Sequence, residues 1–215
     1  MLPPLLKICF LSTKNCIDMR SCLTNSHSVA IQYTTKIRGN QIIHILTEVV
    51  SVKIFAIDQA KTAGYALFVD GRLERYGTIE LGKKSVVYED MLFSAREKVR
   101  GLVLEMEADF ILIEDIQQQR QNVKTFKKLA MLMGVLVCLF QEMGKPHMVV
   151  PPARWKGYCG IKGKKRDEQK ANTILFVEGK FGLDGITEDI ADAVSLCWYG
   201  VENIGKGVEN AQHKL

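Results

Sequence analysis

A short apolar segment that ends in an acid constrains the fold of this chain more than any other feature of its sequence. Residues 52–57 are mostly apolar and rich in β-branched side chains, and Asp58 follows them directly. A tight turn with Gly64 and a second alternating apolar segment, residues 65–69, come next. This order predicts a buried strand that carries Asp58 to the edge of a sheet, with a hairpin returning beside it. Asp58 there either caps the turn through its own side chain or serves as a metal ligand or acid–base group.

A second segment of the same kind follows an amphipathic helix that is predicted over residues 86–107. Residues 110–113 are four consecutive apolar side chains, the pattern of a strand buried on both faces, and Glu114 comes directly after them. Two strands joined by a helix usually lie parallel and side by side. Asp58 and Glu114 are therefore predicted to meet at the same edge of the sheet.

Two further acids lie at the start of the last predicted helix, which begins after Thr187 and runs to about residue 199. Asp189 and Asp192 are three residues apart and share one helical face. Acids in a first turn are favoured by the helix dipole, so helix stability alone is an alternative explanation for this pair.

Several carboxylates held close together point to a particular chemistry. They repel one another and raise one another's pKa unless cations balance them. Hard divalent ions with oxygen ligands, Mg²⁺ or Mn²⁺, are the usual partners, and two such ions can drive phosphodiester cleavage. The histidines form no ligand pattern, which disfavours zinc chemistry, and neither a GxxxxGK[ST] nor a GxGxxG motif is present to bind a nucleotide cofactor.

The rest of the chain is predicted to form one α/β domain. At 215 residues and 47% hydrophobic, the chain is long enough for one sizeable domain with an extension. From residue 52 the predicted order is β-β-β-α-β-α-β-α-α, which places the domain at residues 51–203. Residues 1–50 show no sustained periodicity before about residue 41, and are predicted to be a poorly ordered extension or a gene-model artefact. Residues 204–215 are predicted to be a frayed tail.

Cysteines and hydropathy indicate the compartment. The six cysteines show no metal-binding spacing, and Cys138 and Cys197 lie in apolar periodic segments that predict buried, reduced thiols. No apolar segment approaches the length of a membrane span. We therefore expect a cytoplasmic protein without disulfides and without a membrane partner.

A basic segment, residues 154–170, follows the fifth predicted strand, residues 148–150. It passes from a loop into a third helix that is predicted at about residues 165–181. Pro151 and Pro152 are predicted to end the strand, and a flexible, glycine-containing loop follows. The net charge of the whole chain is +5, a mild preference for polyanions. The concentration of lysine and arginine in this one segment is the more informative feature.

The order of these motifs resembles the RuvC family, bacterial and phage Holliday-junction resolvases with an RNase H-like fold. The resemblance is carried by Asp58 opening a hairpin, by Ile113-Glu114 closing a later strand, and by Asp189-Ile-Ala-Asp192-Ala at the start of the last helix. It extends from about residue 52 to residue 199 and includes the helix at 122–134 and the segment 152–156. It implies an α/β fold with a mixed five-stranded sheet, whose first three strands form antiparallel hairpins, flanked by helices.

The resemblance also implies a function. It implies a Mg²⁺-dependent, structure-selective endonuclease for recombination, repair or phage DNA processing, with Mn²⁺ as a possible substitute. Its catalytic and metal-binding residues would be Asp58, Glu114, Asp189 and Asp192. A homodimer would cut symmetry-related strands of a four-way DNA junction. The apolar helix at residues 122–142 suits a dimer interface, or equally a core helix within one chain.

The basic segment receives a role on the same resemblance. Its cations would contact DNA phosphates in a salt-sensitive, sequence-independent way, and the candidates are Arg154, Lys156, Lys162, Lys164, Lys165 and Arg166. Lys156 and Lys164 or Lys165 could also offset charge in the transition state. For each single lysine, a solvated surface charge is the alternative.

One loop departs from the pattern of the family. In many bacterial resolvases the loop after the second acid carries an aromatic side chain that can stack at an opened junction, and residues 116–121 here contain none. This departure puts recognition by stacking in doubt. The alternatives are an RNase H-like nuclease acting on RNA or on other branched DNA, and a non-catalytic nucleic-acid-binding module. Sugar kinases and actin-like ATPases share the fold, but they need two such domains and glycine-rich loops that bind adenosine. This chain is too short for two domains, so these classes are disfavoured.

Overall fold

The computed structural model describes residues 29–38, 41–82, 88–117 and 123–205, with side chains described from residue 51 onward. Strands β1 (Val29–Arg38) and β2 (Gln41–Val50) pair antiparallel along their whole length and form a two-stranded sheet of their own. The sequence analysis did not predict β1. The separation of residues 1–50 from the main domain stays a prediction.

The main sheet has five strands and is mixed, as predicted. Its order is β5-β4-β3-β6-β7, in which β3, β4 and β5 pair antiparallel and β6 pairs parallel with both β3 and β7. The bounds are β3 (Lys53–Asp58), β4 (Thr62–Val69), β5 (Arg72–Glu80), β6 (Phe110–Glu114) and β7 (His147–Val150). Asp70 and Gly71 connect β4 to β5 with φ of 51° and 77°. Asp-Gly is the residue pair from which the sequence predicts a two-residue hairpin, and positive φ at both positions is what a turn of type I′ requires.

Five helices cover the sheet: α1 (Tyr88–Met106), α2 (Val123–Glu142), α3 (Pro152–Tyr158), α4 (Arg166–Phe181) and α5 (Glu188–Gly200), the last followed by a π-helical turn, Val201–Gly205. Helix α3 corrects the prediction of a loop there. Pro152 occupies its first turn, where a missing N–H leaves no bond unmade. From the sequence, Ser85 and Asn122 are predicted to cap the helices expected at residues 86–107 and 122–142, and both lie outside the described residues, as does most of the loop at 116–121. Among the described helices, none combines the length and apolar character that crossing a bilayer requires.

The two faces of the sheet pack against different helices. Phe55 and Ile57 of β3 contact α1 and α2, and this side is called the α1–α2 face. Ile54 and Ala56 of the same strand contact α5 and the buried parts of α3 and α4, and this side is called the α5 face. Because successive side chains of a strand alternate, a strand with both faces covered must be apolar throughout. This explains the continuous apolar character of β3 and β6.

Helix α5 lies unusually close to the sheet because small residues face it. Gly64 was predicted in a turn, but it lies within β4. A Cβ added at Gly64 would lie 1.8 Å from the carbonyl oxygen of Asp189, and one at Gly200 would lie 2.5 Å from Cδ1 of Leu112. Ala191 and Ala193 between them are fully buried. Glycine at the two ends and alanine in the middle therefore set the separation of α5 from the sheet.

The described cysteines Cys138, Cys159 and Cys197 are all free. Cys197 is buried as predicted, and its thiol donates a hydrogen bond to the carbonyl oxygen of Ile54. The prediction for Cys138 was wrong, because its side chain is exposed on α2. Helix α2 has more apolar positions than one chain buries, so apolar periodicity alone could not show which of them face outward.

Candidate active site

Two of the predicted acids end neighbouring parallel strands. Asp58 is the last residue of β3 and Glu114 the last of β6, and the residues before them, Ile57 and Ile113, are direct partners in the ladder. Both acids continue the even-numbered register, whose side chains contact α5. The register therefore places the two carboxylates side by side, at the carboxyl ends of the strands and on the α5 face.

Helix α5 brings Asp189 and Asp192 to the same place. Its N-cap is Thr187, whose side chain accepts a hydrogen bond from the backbone N–H of Ile190, as the sequence predicts. Gly64, the cross-strand partner of Asp58, touches the backbone of Asp189. The first turn of α5 is therefore held directly against the hairpin that begins at Asp58. The four residues Asp58, Glu114, Asp189 and Asp192 are called the acid cluster.

A cavity of about 510 Å³ opens at the acid cluster. All four acids line it, together with residues at the start of α2, from α3, and from the first two turns of α4. Among the predicted nucleic-acid-binding residues, Lys156 and Arg166 line the cavity. The others, Arg154, Lys162, Lys164 and Lys165, are exposed on α3 and on the segment between α3 and α4 and do not line the cavity.

Asp58 and Glu114 behave as one coupled pair. Burial raises the pKa of Asp58 well above its usual range, and the neighbouring charges of Glu114 and Asp189 raise it further. Burial also raises the pKa of Glu114. The two carboxyl groups hydrogen-bond each other, so their protons are released as those of a pair and not of either residue alone.

The two acids of α5 are shifted in the same direction. Burial, with help from the charge of Asp58, raises the pKa of Asp192 to about 6. Burial raises the pKa of Asp189 as well, and Lys170 opposes that shift. Each acid of the cluster therefore carries a carboxylate charge that the protein by itself leaves incompletely compensated.

Two lysines provide partial compensation. Lys156 on α3 lowers the pKa of Asp58, Glu114 and Asp192 through its charge. Lys170 on α4 forms an ion pair with Glu188 and lowers the pKa of Asp189 and Asp192. The sequence analysis expected the cations of the basic segment, residues 154–170, to contact phosphates, but it did not name Lys170 among the candidates and gave it no role beside the acids. Its position one helical turn after Arg166 was the signal that could have identified it.

Three buried polar residues around the acids were also missed. The indole N–H of Trp155 donates to Oε1 of Glu114 at 2.9 Å, and Nε2 of Gln59 donates to the backbone carbonyl of Glu114 at 2.6 Å. Thr173, on α4, donates its hydroxyl to the backbone carbonyl of Gln169 at 2.9 Å, and its side chain lies near enough to Asp192 to lower the pKa of that carboxyl group. The Oε1 atom of Gln59 is buried beside the cavity and has no hydrogen-bond partner among the described residues. Trp155, Gln59 and Thr173 are each far in sequence from the acid that they affect, so no local pattern of residues could have revealed their roles.

The residues present suit a hard divalent cation. Every donor in the acid cluster is an oxygen, and the raised pKa values show negative charge in need of a positive partner. Within the described ranges, no three His, Cys, Asp or Glu side chains form a ready-made cage for one ion. Mg²⁺ commonly binds through one or two carboxylates plus water and substrate phosphates, so an open arrangement of this kind fits it.

Comparison with solved structures identifies the fold. The chain is similar to the RuvC structure from Thermus thermophilus, with a TM-score of 0.59, 17% sequence identity, and coverage of 73% of this chain and 97% of that one. It is also similar to T. thermophilus RuvC in complex with a Holliday junction substrate, with a TM-score of 0.58, 16% identity, and coverage of 73% and 96%. No protein-family model matches the sequence, and no curated protein matches it significantly. The predicted RNase H-like fold of the RuvC type is confirmed.

Proposed function

We propose that this chain is a metal-dependent endonuclease that cleaves branched DNA, with the four-way junction as its preferred substrate. The observation that carries the proposal is the convergence of the acid cluster on one open cavity with cationic side chains at its rim. Acids placed there for stability alone would not be buried together, because each raises the free energy of its neighbours. A site that accepts such a cost is usually a functional one.

The proposed cofactor is Mg²⁺, with Mn²⁺ as a substitute, held by the acid cluster. Divalent cations at such a site supply an activated water and neutralise charge on the phosphate that is cleaved. Asp58 interacts with every other acid of the cluster, because the charges of Glu114 and Asp189 raise its pKa and its own charge raises that of Asp192. It is therefore the residue best placed to serve two cations at once.

The cationic side chains have two proposed tasks. Lys156 lies close enough to lower the pKa of three of the acids, so its ammonium group can also offset charge that builds up on the phosphate. Arg166 and Lys170 line the cavity and would hold flanking phosphates. The exposed residues Arg154, Lys162, Lys164 and Lys165 would extend this surface and add affinity that falls with rising salt.

The choice of a four-way junction rests on the likeness to T. thermophilus RuvC, which has been seen with a Holliday junction. A junction of this kind has two symmetry-related strands to cut, whereas each chain has a single acid cluster. We therefore propose a homodimer. The proposed setting is DNA recombination, repair or phage DNA processing in the cytoplasm.

The proposed dimer surface is a groove between α1 and α2, on the side opposite the acid cluster. It has a volume of about 420 Å³ and is lined by Leu92, Arg96, Met131, Gly134, Val135 and Cys138. Met131 is 48% exposed, and Phe93, on the adjacent α1, is 67% exposed. An exposed apolar groove on a helix pair suits a second copy of the same chain, since a two-fold axis lets one surface cover itself.

Cleavage of labelled substrates tests the function. The full chain is incubated with Mg²⁺ and a four-way junction, a flap, a linear duplex or an RNA–DNA hybrid, alongside Asp58→Asn. We expect the junction to be cut by two symmetric incisions, and Asp58→Asn to lose at least about 100-fold in rate. Junction binding by the variant is expected to persist, because binding rests mainly on the basic surface.

The matched control is Asp184→Asn, which removes the charge of an exposed aspartate in the loop before α5. It is expected to cleave at the wild-type rate. Wild-type cleavage that survives EDTA, or an Asp58→Asn variant with full activity, would contradict metal-dependent catalysis. Preferential cleavage of the hybrid or of a flap would assign the chain to RNA or to other branched DNA, and binding without any cleavage would make it a non-catalytic module.

A further inference from the structure

Trp155 connects the buried core directly to the acid cluster. Its side chain is completely buried, at 0% exposure, within the core of the α5 face. Its indole N–H nevertheless does not bond to a backbone carbonyl of that core. It donates to Oε1 of Glu114 at 2.9 Å.

A purely structural role would explain this contact incompletely. A buried indole needs an acceptor, but any nearby carbonyl satisfies that need. A hydrogen bond to a carboxylate is stronger than one to a neutral group, and it also restricts the rotation of the carboxylate. The contact therefore fixes the orientation of Glu114 as well as the position of Trp155.

Glu114 is held at a second point by Gln59. The Nε2 atom of Gln59 donates to the backbone carbonyl of Glu114 at 2.6 Å. The ladder between β3 and β6 ends at Ile57 and Ile113, so this side-chain bond continues the connection between the two strands beyond the ladder. The backbone of Glu114 is thus tied to β3 and its carboxylate to α3, which leaves the residue little freedom to turn.

We propose that Trp155 is a positioning residue for the nuclease site: its N–H holds one oxygen of Glu114, so that the other is presented to a bound cation. The proposal rests on the proposed function. Trp155 also anchors α3, and the ammonium group of Lys156 lies 5.1 Å from the centre of its ring. Replacement by phenylalanine keeps an aromatic ring for α3 and for Lys156, and it removes only the donor and part of the volume.

The test compares the two tryptophans of the chain, Trp155 and Trp198. Trp198 packs against Phe68 and Phe181 at the far end of α5, so Trp198→Phe is the matched control. Binding of Mn²⁺ to the full-length protein is measured by calorimetry, and junction binding is measured in EDTA. We expect Trp155→Phe to weaken Mn²⁺ binding by about 10- to 100-fold. Junction binding is expected to stay within about twofold, because the basic surface is intact.

A second variant guards against loss of folding in Trp155→Phe. In the Trp198→Phe background, Trp155 is replaced biosynthetically by 3-benzothienylalanine, in which sulfur takes the place of the indole N–H and the shape is kept. We expect the same loss of Mn²⁺ affinity at an unchanged melting temperature. In the same background with natural tryptophan, Mn²⁺ should quench the fluorescence of Trp155 at the concentrations that calorimetry gives.

Three results would overturn the positioning role. Unchanged Mn²⁺ affinity in the benzothienyl protein would mean that Trp155 only fills space. Equal losses in Trp155→Phe and Trp198→Phe would mean a general effect of core repacking. A wild-type chain that binds no Mn²⁺ and cuts no DNA would overturn the proposed function itself, an outcome distinct from the other two.

Discussion

Both faces of the sheet are covered by helices, but the side chains between sheet and helix differ in size on the two faces. On the α1–α2 face, large side chains such as Phe55, Leu136 and Phe140 fill the space between sheet and helices. On the α5 face, alanine and glycine let a helix lie almost against the strands. Both interiors are fully buried, so burial alone does not distinguish them.

This difference in packing decides which groups can meet at the surface of each face. Close packing brings the first turn of α5 to the ends of β3 and β6, and the four acids meet there. A helix held away by large side chains would leave its acids too far from the strands. In the part of the α1–α2 face that the structure describes, an apolar groove lies open instead. One face is therefore built for a charged site and the other for contact with another surface.

The largest expected effect comes from restoring a side chain where the α5 face has none. In Gly64→Ala the new Cβ would lie 1.8 Å from the carbonyl oxygen of Asp189. Backbone atoms cannot rotate away, so α5 or β4 must move. We expect a loss of about 3 kcal/mol or more in the free energy of unfolding, together with loss of cleavage. Urea unfolding and junction cleavage measure the two effects, and a variant of wild-type stability and activity would refute this account of the α5 face.

A smaller effect of opposite sign is expected from Asp192→Asn. Since the pKa of Asp192 is raised to about 6 from a usual 3.8, the folded protein holds this proton more tightly than the unfolded chain does. The carboxyl group therefore costs no stability below pH 3.8, and its cost grows as pH rises from 3.8 to about 6 and is constant above that. We expect Asp192→Asn to stabilise the metal-free protein by about 2 kcal/mol at pH 7.5, and to have little effect near pH 4.

Urea unfolding at the two pH values checks this prediction, with Asp184→Asn as the control for removal of an exposed charge. Added Mg²⁺ should reduce the difference in the free energy of unfolding between Asp192→Asn and the wild-type chain, because it stabilises the wild-type chain more than the variant. A stabilisation that is the same at both pH values would show that packing, and not charge, is responsible.

The smallest effects test the α1–α2 face. Gly101 in α1 and Gly134 in α2 are exposed, and no atom lies within 4 Å of a Cβ added at either position. Alanine should therefore stabilise each helix by about 1 kcal/mol. If a second copy covers the groove, Gly134→Ala should gain less than Gly101→Ala and should weaken the dimer in sedimentation equilibrium. The proposed dimer surface would be contradicted if both variants gained the same free energy of unfolding and the wild-type chain sedimented as a monomer.

Much of the site followed from local sequence patterns. An apolar run that ends in Asp58, and another that ends in Glu114, specify two buried strands and the edge at which their acids emerge. The spacing of Asp189 and Asp192 places them on one helical face, and Asp70-Gly71 specifies a hairpin. These predictions depend on periodicity and on backbone preferences, which act over a few residues and can be seen in one sequence.

Other features were decided by contacts between segments distant along the chain. Trp155 reaches Glu114 across 41 positions and Gln59 reaches it across 55, and neither partner can be inferred from its neighbours. The two prolines after β7 end the strand as predicted, but the second one also begins α3, where a loop was predicted. Cys138 was predicted to be buried, but it lies on the part of α2 that this chain leaves uncovered.

The sequence by itself therefore determined the five strands of the main sheet, the longer helices and the acids that end or begin them, because alternation and helical period are properties of each segment alone. Only the tertiary structure decided how near α5 approaches the sheet, which polar groups hold Glu114, and which cations line the cavity. These depend on the volumes of residues such as Gly64 and on the geometry of their partners. A glycine that permits a turn and a glycine that permits a helix to touch a strand are identical in sequence, and they differ only in what lies opposite.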